Sequence, residues 1–160
     1  MKKSLLFVAA VILIWACQKN DKPNEWVKKD LLEYGIPMSI LAPDSAEVNS
    51  SDLGGLIQDV TIKKGDDYYI QIYASDAETT DIAKVKANQL AEVKSNRYFS
   101  KIVKEELDGF IYETAIDTSN INYGFRYVRV QGDKEFIFQT GLVGTFTEAQ
   151  VNRMYESVKQ

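Results

Sequence analysis

The sequence predicts an α+β domain in which an antiparallel sheet of about six or seven strands is packed by two or three helices. Segments rich in Val, Ile, Thr and aromatic residues come in pairs around short Gly/Asp turns, which is typical of antiparallel hairpins. Two other segments carry apolar residues at helical spacing behind capping residues. Amphipathic helices need an apolar surface, and the sheet supplies it. The 160 residues show no internal repeat, so we expect one domain, over residues 26–160.

The segment before the first hairpin combines helix, strand and loop signals. Residues 25–34 predict a short helix, because Gly35 stands where a helix would end. The apolar run 36–41 predicts a strand, and Pro37 places that strand near a sheet edge. The polar residues 44–55 predict a loop.

Three hairpins follow, each around a dipeptide that contains glycine: Gly65-Asp66, Asp108-Gly109 and Gly132-Asp133. The predicted strands are, in pairs, 56–63 and 67–74, 98–106 and 110–117, and 123–130 and 135–142. Between the second and third hairpins, residues 117–120 have the composition of a turn.

Two helices complete the prediction. The first runs to about Ser95 from a cap at Thr80 or Asp81. Its apolar side is formed by Ile82, Val85, Leu90 and Val93. The second begins with a capping box formed by Thr147 and Gln150. Its apolar residues at spacing i, i+3, i+4 and i+7 are Val151, Met154, Tyr155 and Val158.

The composition excludes several chemistries. The chain has no histidine and one cysteine, so it cannot form a His-based triad, a Cys/His zinc site or an intramolecular disulfide. The glycine pair Gly54-Gly55 lacks the lysine and the spacing of a phosphate loop. Arg126 and Arg129 lie an odd number of residues apart on one predicted strand, so they face opposite sides and do not form a joint anion site. We expect no metal, no cofactor and no enzymatic activity.

Carboxylates are the strongest remaining acid/base candidates. Glu105-Glu106 and Asp66-Asp67 are adjacent pairs, and adjacent residues of a strand point to opposite faces. Asp66, Asp67 and Asp133 also fall in predicted turns, where aspartate serves the backbone. A glycosidase would need two acidic groups that converge at about 5–10 Å, so we rank that function third.

Aromatic residues are abundant on the predicted strands and fit core and cross-strand packing. Tyr68 and Tyr69 are neighbours, so they cannot both face the core. One of them must meet a helix, a partner or solvent. We therefore name Tyr68 and Tyr69 as candidate residues for binding a ligand or partner.

The N-terminus predicts a targeting segment. Lys2 and Lys3 precede an unbroken apolar stretch over 5–16, which at twelve residues is too short to span a bilayer. The following residues, Leu13-Ile14-Trp15-Ala16-Cys17, resemble the bacterial lipobox, with Trp15 in place of its usual small residue. The resemblance implies removal of a signal peptide over 1–16. It also implies a diacylglyceryl group on Cys17 and an acyl chain on the new amino group. More than one acyl chain anchors a protein stably to a membrane.

Residues 17–25 form the lipidated N-terminus and a flexible tether, since 18–25 contain no apolar residue. Gln18, rather than Asp, follows the cysteine, which by resemblance to lipoprotein sorting rules favours the outer over the inner membrane. Removal of Lys2 and Lys3 leaves 17 basic against 23 acidic residues, a net charge of −6. An acidic domain without a basic cluster is a poor candidate for nucleic acid, and headgroup charge would not attract it to an anionic membrane.

The order of elements resembles the PsbP-like superfamily of small α/β sandwich proteins. The residues that carry the resemblance are 36–43 (IPMSILAP) at the front, then 136–141 (FIFQTG) and 151–158 at the back. The resemblance implies a non-enzymatic helper such as an assembly factor, a binding adaptor or an envelope lipoprotein. It carries over no binding residue. We therefore expect a lipid-anchored protein of the cell envelope that acts as a binding or assembly module for an envelope protein. The alternative is a small-ligand binder with an aromatic-lined pocket between sheet and helix.

The lipid anchor makes the first prediction. In a bacterial host, the full chain should lose residues 1–16, gain the mass of the lipid groups and fractionate with membranes. Cys17→Ala should lose all three, because the sulfur that receives the diacylglyceryl group is gone. Intact mass and cell fractionation measure this. An unmodified wild-type protein in the soluble fraction would contradict the lipobox.

Overall fold

The computed structural model of the protein describes residues 26–160. The predicted signal peptide, the lipidation site Cys17 and the tether lie outside the described residues. The strands are β1 (Trp26–Asp30), β2 (Ser39–Pro43), β3 (Glu47–Leu53), β4 (Ile57–Lys64), β5 (Tyr68–Asp76), β6 (Phe99–Glu105), β7 (Gly109–Ala115), β8 (Ile121–Gln131) and β9 (Lys134–Thr140). The helices are α1 (Ile82–Ser95) and α2 (Glu148–Ser157), with a 3-10 turn at Leu32–Tyr34. The predicted α+β class is confirmed.

The sheet has seven strands in the order β3-β4-β5-β9-β8-β7-β6, and every pair is antiparallel. β1 and β2 pair separately as a two-stranded sheet. Among residues 26–160, no helix combines the length and the apolar character needed to cross a bilayer.

Both faces of the central strands are covered. On one face, α2 and the β1–β2 segment enclose the main core, in which Val151, Met154 and Tyr155 pack against the sheet. On the other face, Val85 of α1 packs against Val128 and Ile137. Alternation along the strands sends successive side chains to these two cores, which explains why β9 has apolar residues at three consecutive positions, 136–138.

The helix predicted over 25–34 is wrong. Residues 26–30 are β1, and a short 3-10 turn follows. The register pairs Trp26 with Pro43, and the Trp26 ring packs edge-on against Tyr68 at 5.0 Å between centroids. These long-range contacts favour the strand over the local helix signal. Gly35 does end a helical turn, with φ 83°, but the turn is 3-10.

The loop predicted over 44–55 is also wrong, because 47–53 form β3, which pairs with β4 at seven positions. β3 is an edge strand whose residues are nearly all exposed, so it carries no apolar alternation. The strand predicted over 36–41 is shifted and runs as β2 from Ser39 to Pro43.

The three predicted hairpins and both α-helices are confirmed. Asp81 caps α1, where its side chain accepts a hydrogen bond from the Lys84 N–H. Thr147 and Gln150 form the reciprocal capping box of α2. In the predicted turn 117–120, Asp117 Oδ1 accepts hydrogen bonds from the backbone N–H groups of Ser119 and Asn120.

Close packing at Gly109 makes a prediction about stability. A Cβ at this position would lie 2.5 Å from the Arg126 carbonyl oxygen and 2.9 Å from the Tyr155 hydroxyl. Gly109→Ala should therefore lower the free energy of unfolding by about 1–3 kcal/mol, measured by urea denaturation. Gly132→Asn is the control, since its φ of 63° suits asparagine and nothing lies within 4 Å of its Cβ position. Equal losses in the two variants would contradict the packing account.

Candidate functional site

A cavity of about 500 Å³ opens at one end of the sheet and is the strongest candidate for a binding site. It is bounded by the 3-10 turn, the β3–β4 turn and the β8–β9 turn, and we call it the distal groove. Its lining residues are Leu32, Gly35, Pro37, Asp52, Gly55, Leu56, Ile57, Gln58, Ala74, Gln131, Asp133, Lys134 and Phe136. Its volume lies within the range of small-molecule sites in proteins, about 300–1,000 Å³.

Exposed apolar side chains surround this groove. Leu32 is 65% exposed, Leu56 78% and Ile57 37%. Leu53, at the end of β3, is 49% exposed and lies outside the lining. Large apolar side chains that cluster on a surface mark interaction sites more often than isolated ones do.

The groove has an apolar wall and a mixed polar rim. Phe136 is buried, with 1% of its surface exposed, and contributes the one aromatic side chain of the lining. Asp52, Asp133 and Lys134 supply charges of both signs at the rim. No group of three or more acidic or cysteine side chains within residues 26–160 could hold a metal ion. The arrangement is therefore suited to bind an apolar group, with the polar rim fixing its orientation.

The β3–β4 turn, which depends on two glycines, positions the exposed residues Leu53 and Leu56. Gly54 and Gly55 have φ of 71° and 73°, and the Asp52 carboxylate accepts a hydrogen bond of 2.6 Å from the Gly55 N–H. Positive φ at both central residues suits a tight hairpin turn. Leu53 and Leu56 flank this glycine pair. The sequence signal for the site was therefore a pair of turn-forming glycines with a leucine on each side. Sequence reasoning interpreted it as a loop and missed both residues.

The candidate residues Tyr68 and Tyr69 separate as alternation requires. Tyr68 is 2% exposed in the main core, and its hydroxyl donates to the Leu41 carbonyl at 3.0 Å. Tyr69 is half-buried on the opposite face, where its ring covers Gly141 and the Lys63 ammonium lies 5.3 Å from the ring centroid. The distal groove includes neither tyrosine.

The face that carries Tyr69 also holds a row of polar side chains. Gln139 Nε2 donates to Gln71 Oε1 at 3.2 Å, and Gln71 Nε2 donates to the Asp59 carboxylate at 3.0 Å. Both glutamines are buried, and Arg126 beside them donates to Gln89 of α1 at 3.2 Å. Their hydrogen bonds are internal, so this row is fully explained as a structural network.

The sequence-predicted charged candidates do not converge. Glu105 pairs with Lys86 of α1 at 3.0 Å, whereas Glu106 accepts from the Tyr155 hydroxyl of α2 at 3.0 Å, so the adjacent carboxylates lie on opposite faces. Asp67 accepts from Gln150 at 2.7 Å, beside the turn residue Asp66. Asp133 lines the distal groove.

The two strand arginines are likewise separated. Arg126 donates to Gln89 of α1, whereas Arg129 lies 3.5 Å from the Gln160 carbonyl oxygen, beyond the end of α2. The opposite orientation expected from their odd spacing is confirmed.

Comparison of the chain with protein-family models, with curated proteins and with solved structures finds no match. The proposal on function therefore depends on the distal groove and on the side chains that line it.

The ion pairs that Glu106 forms with Lys104 and Lys159 predict that the stability of the fold depends on pH. Hydrogen bonds from Lys104, Lys159 and Tyr155 lower the pKa of Glu106 from 4.5 to about 2. A carboxyl whose folded-state pKa is lowered stabilises the fold above its unfolded pKa, and the gain disappears as pH falls toward the folded value. Glu106→Gln should therefore lower the melting temperature at pH 6, and the difference from wild type should shrink between pH 4.5 and pH 2. A difference that does not change over this range would contradict the ion-pair account.

Proposed function

We propose that this protein is a bacterial lipoprotein of the cell envelope, on the outer membrane, that acts as a non-enzymatic binding or assembly module. In this proposal the lipid on Cys17 holds the domain at a membrane, and the distal groove receives an apolar segment of an envelope protein. The observation that carries the binding role is the cluster of exposed leucines around the groove.

The missing catalytic groups support a binding role. The chain has no histidine, and its one cysteine is the proposed lipidation site. The carboxylates Glu105 and Glu106 face opposite sides of the sheet, so they cannot act on one substrate atom. The seven-stranded sheet with helices on both faces also supports the finer proposal of a PsbP-like fold, whose members are non-enzymatic helpers.

The extent of the apolar surface favours a protein over a small ligand. A molecule confined to the cavity would leave Leu53 in solvent, because Leu53 is not part of the lining. A protein surface laid across the β3–β4 turn would cover Leu53 together with Leu32 and Leu56. Interfaces of this kind bury a central apolar cluster inside a polar rim, as Asp52 and Lys134 provide here.

Site-specific crosslinking in cells tests the proposal. A photoreactive residue at position 56 should give one discrete protein adduct, because Leu56 is 78% exposed beside the groove. The matched control is position 107, where Leu107 is also 78% exposed and does not line the groove. Leu32→Asp and Leu53→Asp should each abolish the adduct at 56 while the melting temperature stays unchanged. Adducts of equal yield at 56 and 107, or none at 56, would contradict the proposal.

The cavity volume supports a second candidate, a small apolar ligand. Such a ligand would raise the melting temperature of the folded protein, and the rise would continue as the ligand concentration exceeds Kd. Leu32→Asp would abolish this rise, whereas Leu53→Asp, outside the lining, would preserve it. The Leu53 variant therefore distinguishes a ligand inside the cavity from a protein across it.

A further inference from the structure

The described chain begins at the end of the sheet opposite the distal groove. Trp26 packs against Tyr68, the first residue of β5, and shares a cavity of about 410 Å³ with Lys64 and Gly65 of the β4–β5 turn. We call this end of the sheet the proximal end. β4 runs from the groove to this turn, and its eight residues span about 26 Å.

Exposed apolar side chains also cluster at the proximal end. Leu142 is 72% exposed and Val143 74%, directly after β9. Ile116, in the connection after β7, is 69% exposed, and Ile121, the first residue of β8, is 38% exposed. None of these four belongs to either buried core, so the fold gains little from their apolar character.

The exposed apolar residues of the proximal end lie near Trp26, the first residue that the structure describes. Val143 lines a cavity with Gly65, the turn residue that also lies beside Trp26. The loop after β9 is held to the start of β8, where the Phe146 N–H donates to Asn122 Oδ1 at 2.7 Å. The apolar loops and the entry point therefore belong to one surface.

The length of chain before Trp26 limits how far this surface can lie from a membrane. This step rests on the proposed lipidation of Cys17. The nine residues 17–25 span at most about 30 Å when fully extended. The proximal end is therefore at most about 30 Å from the bilayer, whereas the groove lies about 26 Å farther along the sheet from Trp26.

We propose that the proximal end rests on the bilayer, with Leu142 and Val143 entering the lipid interface and Ile116 and Ile121 beside them. The occupant of this apolar surface is the membrane that carries the domain's own anchor. Lys63 and Lys64 at the end of β4 are balanced by Asp66 and Asp67 in the turn that follows, so apolar contact drives the association. Binding should therefore depend little on salt or on the charge of the lipid headgroups. The orientation points the distal groove away from the membrane.

Single-cysteine labelling tests this orientation. In the processed lipoprotein the Cys17 sulfur carries the diacylglyceryl group, so Leu142→Cys and Leu56→Cys each offer one free thiol. Each variant is labelled with an environment-sensitive fluorophore and reconstituted in phosphatidylcholine vesicles. The label at 142 should shift its emission to shorter wavelength, whereas the label at the equally exposed position 56 should keep its emission in water. The shift at 142 should persist at high salt.

Intact mass of the same samples shows whether the lipid is attached, so the outcomes distinguish the membrane-contact inference from the proposed lipid anchor. An acylated protein whose label at 142 stays in water would overturn the membrane-contact inference alone. So would a shift at 56 without one at 142. A protein that lacks the lipid mass removes the premise and overturns both this inference and the proposed anchor. A third variant, Leu142→Cys with Val143→Asp, should reduce the shift if insertion causes it.

Discussion

The packing of α2 on the centre of the sheet is the interaction on which the rest of this structure depends. Tyr155 packs edge-on against Phe125 at 5.8 Å and against Tyr127 at 6.1 Å between ring centroids. Its hydroxyl donates to Glu106, so the same side chain fixes the β6–β7 connection. At the other end of α2, Gln150 donates to Asp67 in the β4–β5 turn. One helix therefore ties together both ends of the sheet.

The second face of the central strands buries both apolar and polar side chains. Where α1 packs, the inward residues Val128 and Ile137 are apolar. In the next row of the sheet, Gln71 and Gln139 are buried and hydrogen-bonded to each other. Hydrogen bonds satisfy these amides, which removes most of the cost of their burial. In residues 26–160, no buried side-chain nitrogen or oxygen lacks a hydrogen-bond partner.

The sequence predicts those parts of the fold whose signals are local. Each confirmed hairpin has its turn residues between two β-rich segments, and both α-helices carry their own caps. β1 and β3 were missed because their determinants are distant or invisible in the pattern. The strand β1 depends on Trp26 meeting Tyr68, 42 positions along the chain. The edge strand β3 pairs with β4 through its backbone, and apart from the half-buried Val48 its side chains are exposed and need no alternation.

The distal groove was also hard to predict, because the residues that form it are distant from one another in the sequence. Its lining comes from the 3-10 turn, the β3–β4 turn, β5 and the β8–β9 turn, which only the tertiary fold brings together. The aromatic surplus directed attention to Tyr68 and Tyr69, yet Tyr68 serves the core and Tyr69 covers Gly141. The leucines at 53 and 56 lacked the periodicity by which buried positions are recognised, because they are not buried.

The distribution of exposed apolar residues constrains any functional account of this domain. In the described part of the chain, the large exposed hydrophobic residues lie in the connections or at the strand ends, none in the middle of a strand or in an α-helix: Leu32, Leu53, Leu56, Ile57, Leu107, Ile116, Ile121, Leu142 and Val143. Turns require glycine, aspartate or asparagine, and nothing in their geometry requires leucine. The antiparallel strands hold the two ends about 26 Å apart. A single flat partner at one end could not cover the other, which is why the proposed binding at the groove and the proposed membrane contact involve different occupants.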